Sequence, residues 1–163
     1  MGAGKSAVAR ALGEKLGTPV ADLDARIAEH SGCSIAEVFA REGEPEFRIR
    51  ESAALRQALE DGSGVIACGG GIVLVEGNRA LLSGSCRTVW LDVEIEEGAR
   101  RVEPERATRP LIQDGPLAAR LDQLLRERGR LYAAVAVARI DTTGRSIDEV
   151  TGLVLDTLEI RCA

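Results

Sequence analysis

At 163 residues, 45% hydrophobic and 29% charged with a net charge of −5, the chain has the size of one domain able to bury its own core. The acidic balance excludes nucleic acid as an electrostatic partner of the whole molecule. Aromatic content of 2% offers no stacking platform for single strands, and no apolar run approaches the ~20 residues of a membrane helix.

Taken in chain order, Lys5 to about Lys15 reads as a helix, with Val8, Ala11, Leu12 and Leu16 on one face and Gly17 as its stop. It opens on Gly2-Ala3-Gly4-Lys5-Ser6, the closing positions of the phosphate-loop pattern G-x-x-x-x-G-K-[ST]. Glycines there let backbone N–H groups approach phosphate oxygens, and the helix start adds partial positive charge. Lys5 would hold the β- and γ-phosphates of a nucleotide and Ser6 a Mg²⁺ ion. The first glycine of the pattern, and the buried strand that precedes such a loop, would fall before Met1. The expectation is therefore a chain whose first strand is missing, through a start assigned too late or through loss of the strand. Loss would leave neighbouring backbone groups unpaired and the phosphate loop unanchored.

Thr18 to Asp22 is a short strand candidate, followed by a helix from Asp24 to Glu29. In Asp22-Leu23-Asp24, residues two apart on an extended chain point to one side. The two carboxylates could serve Mg²⁺ and a substrate hydroxyl, or Asp24 could be an ordinary helix cap. Ser34 and Glu37 form a capping box that opens a helix to about Arg41. Gly43 ends that helix, and Pro45 suits the first turn of the next, which runs to about Leu59 and carries Phe47-Arg48. Taken alone, Arg48 reads as a solvated helix residue as readily as a ligand.

Val65 to Cys68 is a short buried strand before Gly69-Gly70-Gly71. That triplet is either a close approach to a ligand at a strand end or a flexible turn. Asn78 to Leu82 is helical, Thr88 to Val93 is the clearest strand, and Glu96 to Arg101 is a helix. Pro104 to Pro116 reads as a loop carrying Arg109-Pro110-Leu111. An arginine on such a loop fits a lid that closes over phosphates. Leu117 to Arg128 is an amphipathic helix, and Arg128 at its end would be favoured there by the helix dipole in any case. A strand at Ala138 to Asp141 and a helix opened by the Ser146/Glu149 capping box complete the chain. Alternating strands and helices, with no linker, predict a single α/β domain over 1–163, a three-layer parallel sheet with flanking helices. Cys33, Cys68, Cys86 and Cys162 form no C-x-x-C pair and share the sequence with one histidine, His30. Reduced thiols in a cytoplasmic protein are expected rather than zinc or redox chemistry.

In this order the motifs resemble those of the shikimate kinase family: G-x-G-K-[ST], D-x-D, G-E-x-x-F-R, G-G-G, R-P-L and R-x-x-L-Y. They stand here as Gly2 to Ser6, Asp22 to Asp24, Gly43 to Arg48, Gly69 to Gly71, Arg109 to Leu111 and Arg128 to Tyr132. The resemblance implies a P-loop kinase fold of the nucleoside-monophosphate-kinase type, with a lid at about 103–116. It implies transfer of a phosphoryl group from MgATP to the 3-hydroxyl of shikimate, on the route to chorismate and aromatic amino acids.

By the same resemblance Asp24 binds the substrate hydroxyls and is the candidate base, and Asp22 supports Mg²⁺ through water. Arg48 and Arg128 hold the carboxylate, Gly69, Gly70 and Gly71 line the substrate site, and Arg109 reaches the transferring phosphate. Arg101 would lie beside adenine, and Ile140-Asp141-Thr142 with Arg145 would form the adenine loop. A monomer is expected. One departure is Arg130, where the family has proline, which puts a second cation near Arg128. The alternatives are a gluconate or nucleotide kinase sharing the phosphate loop, or a non-catalytic remnant that binds shikimate weakly.

Overall fold

A computed structural model of the chain describes residues 1–108, 110–112 and 115–159. Its helices are α1 (Lys5–Leu16), α2 (Leu23–Ser31), α3 (Ile35–Glu60), α4 (Glu76–Ser85), α5 (Ile95–Val102), α6 (Leu117–Val135) and α7 (Ile147–Thr157). Its strands are β1 (Val20–Asp22), β2 (Val65–Ala67), β3 (Val89–Asp92) and β4 (Ala138–Asp141). Each strand is followed by helix before its parallel partner returns, as parallel pairing requires. β1 pairs β2 with Val20 opposite Val65, and β3 pairs β4 with Val89 opposite Ala138. Among the described residues the strands form these two parallel pairs rather than one continuous sheet.

Alternation along the strands builds three layers. Val65, Val89 and Leu91 pack with Val8 and Leu12 of α1 and with Val150 and Val154 of α7. Ile66 and Tyr132 belong to a cluster on the other side with Leu55, Leu82 and Val135, and Trp90 lies against Tyr132 there. Neighbouring residues of one strand thus face opposite helical layers. Each fully buried aliphatic side chain in these layers contributes roughly 1.5–3 kcal/mol.

Helix boundaries follow local chemistry. Both predicted capping boxes form, Ser34 with Glu37 and Ser146 with Glu149, each serine accepting from the glutamate's own N–H. Gly43 adopts φ 79° and ψ 174°, which breaks α3 into two segments that run end to end. Only glycine enters that region without strain. Pro45, with no N–H to offer, sits in the first turn after the break. The second segment then buries Phe47, Glu51, Ser52, Leu55 and Ala58 along one face.

Two expectations are corrected. The cap of α2 is Asp22, whose Oδ1 accepts from Ala25 N–H at 3.3 Å, and Asp24 stands in the helix's first turn. The two carboxylates therefore do not share one side of an extended chain. The stretch after α5 is not plain loop. It makes 3-10 turns at Glu103–Thr108 and Pro110–Ile112, with Ile112 fully buried among Val102, Leu117, Leu121 and Leu124.

Candidate active site

The site forms where the C-terminal end of β2 meets the second segment of α3, the start of α2 and the middle of α6, the strand-end position at which open α/β sheets bind ligands. Gly69, Gly70 and Gly71 leave β2 and meet a functional side chain at each step. A β-carbon on Gly71 would lie 2.2 Å from Arg48 Nη1. One on Gly70 would lie 3.0 Å from the Tyr132 hydroxyl, and one on Gly69 would lie 2.9 Å from Glu51 Oε1 and 3.3 Å from Asp24 Oδ1. The triplet is therefore glycine because the side chains of Arg48, Tyr132, Glu51 and Asp24 crowd its backbone.

Arg48 is held rather than solvated. Its Nη1 donates to Glu51 Oε2 at 2.7 Å, and its Nε and Nη2 donate to Glu44 Oε1 at 3.2 and 2.7 Å. Its side chain is 11% exposed and that of Glu51 is 1% exposed. Burial works against the Arg48 charge, but the carboxylates of Glu51 and Glu44 outweigh it and raise the guanidinium above its ordinary value. Burial likewise pushes the Glu51 carboxyl up, Arg48 pulls it back, and the nearby Asp24 charge adds to the rise. Oε1 of Glu51 is buried without a hydrogen-bond partner among the described residues and lies on the Gly69 side. A buried acceptor of this kind is unfavourable until something donates to it.

Arg128 is buried as well, and its Nε also lacks a partner among the described residues. Arg130, two positions on, is exposed. The helix thus separates the two cations, and Arg128 is the one turned inward. The Tyr132 hydroxyl donates to the Gly70 carbonyl at 2.6 Å, and its ring lies 5.5 Å from that of Trp90. Burial pushes the Tyr132 phenol up, against the pull of Arg128. Cys68, just before the glycines, is driven to about 12 by burial and then by Glu51. It is an inert strand-end thiol rather than a nucleophile.

The phosphate loop lies at the same end of the strands. Gly4 caps α1 in the left-handed region at φ 74° and offers no side chain, so no cap side chain competes at the helix start. The loop is braced from α5: Arg101 Nη1 donates to the Gly2 carbonyl at 3.2 Å, and a β-carbon on Gly2 would strike the Gly98 carbonyl at 2.6 Å. These two contacts from α5 anchor the loop. Lys5, Gly69, Gly70, Arg128 and Tyr132 line one continuous cavity.

Arg101 also donates to the Thr142 carbonyl at 3.1 Å and pairs with Glu97, whose Oε2 accepts from Gly144 N–H at 3.1 Å. Arg145 Nε donates to the Asp141 carbonyl at 3.0 Å. The predicted adenine-side residues thus form a rim tied together through backbone. Arg106 Nε donates to the Ile112 carbonyl at 3.0 Å and Arg120 Nε to that of Leu111 at 2.9 Å, which fixes the turns after α5 onto α6. Arg109 lies outside the described residues.

Sequence reading gave no role to Glu44, Glu51 or Tyr132. The first two stand four residues before and three after Arg48. That helical spacing was the available signal.

These elements are matched as a set in known proteins. The family model described as shikimate kinase matches residues 1–159. Shikimate kinases of Geobacter metallireducens and Streptomyces coelicolor are each 42% identical over 161 residues, covering 99% of this chain and 89% and 92% of theirs. A shikimate kinase from Acinetobacter baumannii, solved in complex with shikimate, superposes with a TM-score of 0.92 at 33% identity, covering 98% of this chain and 88% of that one. The glycine triplet with its buried charges, the phosphate loop and the extent of these matches lead to one assignment: the chain belongs to the shikimate kinase family.

Proposed function

We propose that the chain phosphorylates the 3-hydroxyl of shikimate, taking the phosphoryl group from ATP, as a single P-loop kinase domain working as a monomer. The observation that carries this is the pocket at Gly69–Gly71. A buried arginine, Arg128, with an Nε unpartnered among the described residues, and a largely covered one, Arg48, stand there with the carboxylates of Glu51 and Asp24. Arginine forks suit a ligand carboxylate, and carboxylates suit ligand hydroxyls. Shikimate carries one carboxylate and several hydroxyls. A neutral polyol would leave the buried Arg128 charge unpaired; gluconate also carries a carboxylate and hydroxyls, so it is the family match that favours shikimate over it.

In this reading Arg48 and Arg128 hold the carboxylate, and Glu44 and Glu51 fix the direction of Arg48. The carbonyl of Gly70 accepts from Tyr132, and the triplet contributes the shape of the pocket. Asp24 orients the 3-hydroxyl and accepts its proton as the oxygen bonds to the γ-phosphorus and the bond to the β-phosphate oxygen breaks, giving shikimate 3-phosphate and ADP. Gly2, Ala3, Gly4 and Lys5 cradle the phosphates, Lys5 neutralises charge on the β- and γ-groups, and Arg101 and Arg145 border the adenine. The segment 103–116 serves as the lid, with Arg109 reaching the transferring phosphate and excluding water.

The residues present fit a hard divalent ion. Ser6 offers an exposed hydroxyl, and Asp22, with Oδ1 given to Ala25, retains a second oxygen for a water-mediated contact. Among the described residues no cluster of three metal-binding side chains exists, and Mg²⁺ characteristically needs one or two protein oxygens beside the phosphates and water. When bound, Mg²⁺ supplies charge neutralisation between the phosphates.

Shikimate-dependent ADP release from MgATP by the 163-residue chain tests the proposal. Turnover requiring shikimate, and not supported by gluconate or a nucleoside monophosphate, is the expected result. Equal turnover with gluconate would overturn the substrate assignment, and binding of shikimate without turnover would favour the remnant.

A further inference from the structure

The two arginines assigned to the substrate carboxylate are held by different means. Arg48 is gripped by the carboxylates of Glu44 and Glu51. Among the described residues no carboxylate pairs with Arg128, although it is buried and its Nε has no partner there. A long side chain keeps its rotamer freedom unless something fixes it, so the direction of Arg128 has to be set by another group.

Tyr132 stands four residues farther along α6, on the same helix face as Arg128. Burial raises its phenol, and the strongest pulls against that rise are the charge of Arg128 and a side-chain hydrogen bond from it. A phenol has one proton to give and lone pairs with which to receive. The proton goes to the Gly70 carbonyl at 2.6 Å, which leaves the lone pairs for the guanidinium. The fit at the backbone is close, since a β-carbon on Gly70 would stand 3.0 Å from the hydroxyl oxygen.

The ring is fixed as well. It packs against the cluster of Leu55, Leu82 and Val135 and lies tilted by 45° against Trp90 at 5.5 Å. Trp90 in turn carries the Arg139 guanidinium 4.5 Å from its ring centroid. A hydroxyl on so constrained a ring has one place to be.

We propose that Tyr132 is a positioning residue for carboxylate binding: its hydroxyl ties Arg128 to the Gly70 backbone and holds the guanidinium in register with the glycine triplet. This rests on the reading that Arg128 binds the substrate carboxylate. The hydroxyl gives Arg128 the fixed partner that Glu44 and Glu51 give Arg48, with one difference. Tyr132 is neutral, so it directs the guanidinium without cancelling its charge, which stays available to an anionic ligand.

Tyr132→Phe tests this, because it removes the hydroxyl and keeps the ring against Trp90. In steady-state ADP release the KM for shikimate should rise about tenfold, with kcat and the KM for ATP little changed. In the ligand-free chain, NMR should show the Gly70 carbonyl carbon shifted and the Arg128 Nε–H exchanging faster with solvent. Chemical denaturation is followed alongside. A fall in stability with the KM for shikimate unmoved would make Tyr132 a packing residue and overturn the proposal. So would resonances of Gly70 and Arg128 that stay in place, whether or not the parent chain turns shikimate over. A parent chain that releases no ADP with shikimate, while both resonances move in Tyr132→Phe, would overturn the substrate reading alone.

Discussion

The glycine-triplet side of the site and the phosphate-loop rim hold their arginines in opposite ways. At the triplet, Arg48 is 11% exposed and is fixed by two carboxylate side chains, one of them buried. At the rim, Arg101 is 32% exposed and is fixed largely by backbone carbonyls of Gly2 and Thr142. A buried pair is costly to break, because removing one partner strands the other's charge. An exposed arginine bound to neutral carbonyls leaves no buried charge behind when it is removed. The difference teaches that the triplet side is locked by paired charges, and in the proposed function it is thereby built in advance for one charged ligand shape, with the rim a more tolerant border.

The largest effect expected is from Asp24→Asn. It removes the proton acceptor while keeping size, so kcat should fall about 10²–10⁴-fold, with little change in the KM for ATP. A fall under fivefold in steady-state ADP release would remove Asp24 from the chemistry. Next comes Arg48→Met, which leaves Glu51 buried and unpaired. Chemical denaturation should show a loss of about 3–5 kcal/mol, and shikimate binding by calorimetry should be lost. Gly71→Ala is third. Its methyl would meet the guanidinium of Arg48 at 2.2 Å, so Arg48 must move, and the KM for shikimate should rise about tenfold, the equivalent of 1.4 kcal/mol. Gly77→Ala, which meets open space, is the control and should leave that KM unchanged.

What could be read from the sequence was what local spacing determines. The capping boxes at Ser34 and Ser146, the break at Gly43 with Pro45 after it, and the loop from Gly2 to Ser6 are each written within a few residues. Asp24 and Asp22 exchanged their expected places at the cap because the strand ends at Asp22 and the helix begins at once, a one-residue boundary that propensity does not resolve. Glu51 was passed over because a glutamate on a helix is ordinarily solvated. Its burial depends on Arg48 and on Gly69, which lies 18 residues farther along the chain. The turns after α5 were read as loop because their stability comes from Arg106 and Arg120 reaching carbonyls about six to nine residues away, and from the burial of Ile112.

Glu51 sharpens the comparison through pH. Its carboxyl is raised above the ordinary 4.5, with burial the foremost cause. The folded state therefore binds the Glu51 proton more tightly than the unfolded chain does. Stability from this group is fully present below 4.5 and is lost as pH rises through the raised folded value. Glu51→Gln should remove that decline, visible as a flatter plot of unfolding free energy against pH from 4.5 upward. Activity should move the other way. Protonating Glu51 weakens its hold on Arg48, so the KM for shikimate should rise as pH falls toward the acid end of that window. In Glu51→Gln it should already be high and nearly flat with pH. A KM profile identical to that of the parent chain would mean that Glu51 does not position Arg48.

The smallest effect expected is the one that would most directly break the comparison. Arg101→Ala removes hydrogen bonds to the Gly2 and Thr142 carbonyls and the pairing with Glu97. Thr142 is buried, but Gly2 and Glu97 stay partly open to water, and Glu97 keeps its bond to Gly144 N–H. The loss in denaturation should stay within about 1 kcal/mol, with a KM for ATP raised a fewfold and a KM for shikimate unmoved. The loop itself should hold, because the contact of Gly2 against Gly98 involves no side chain of Arg101. A loss as large as that of Arg48→Met would show that the rim, too, rests on a charge that cannot be removed alone. Bracing by α5 would then be the main anchor of the phosphate loop, and Arg101 its principal means.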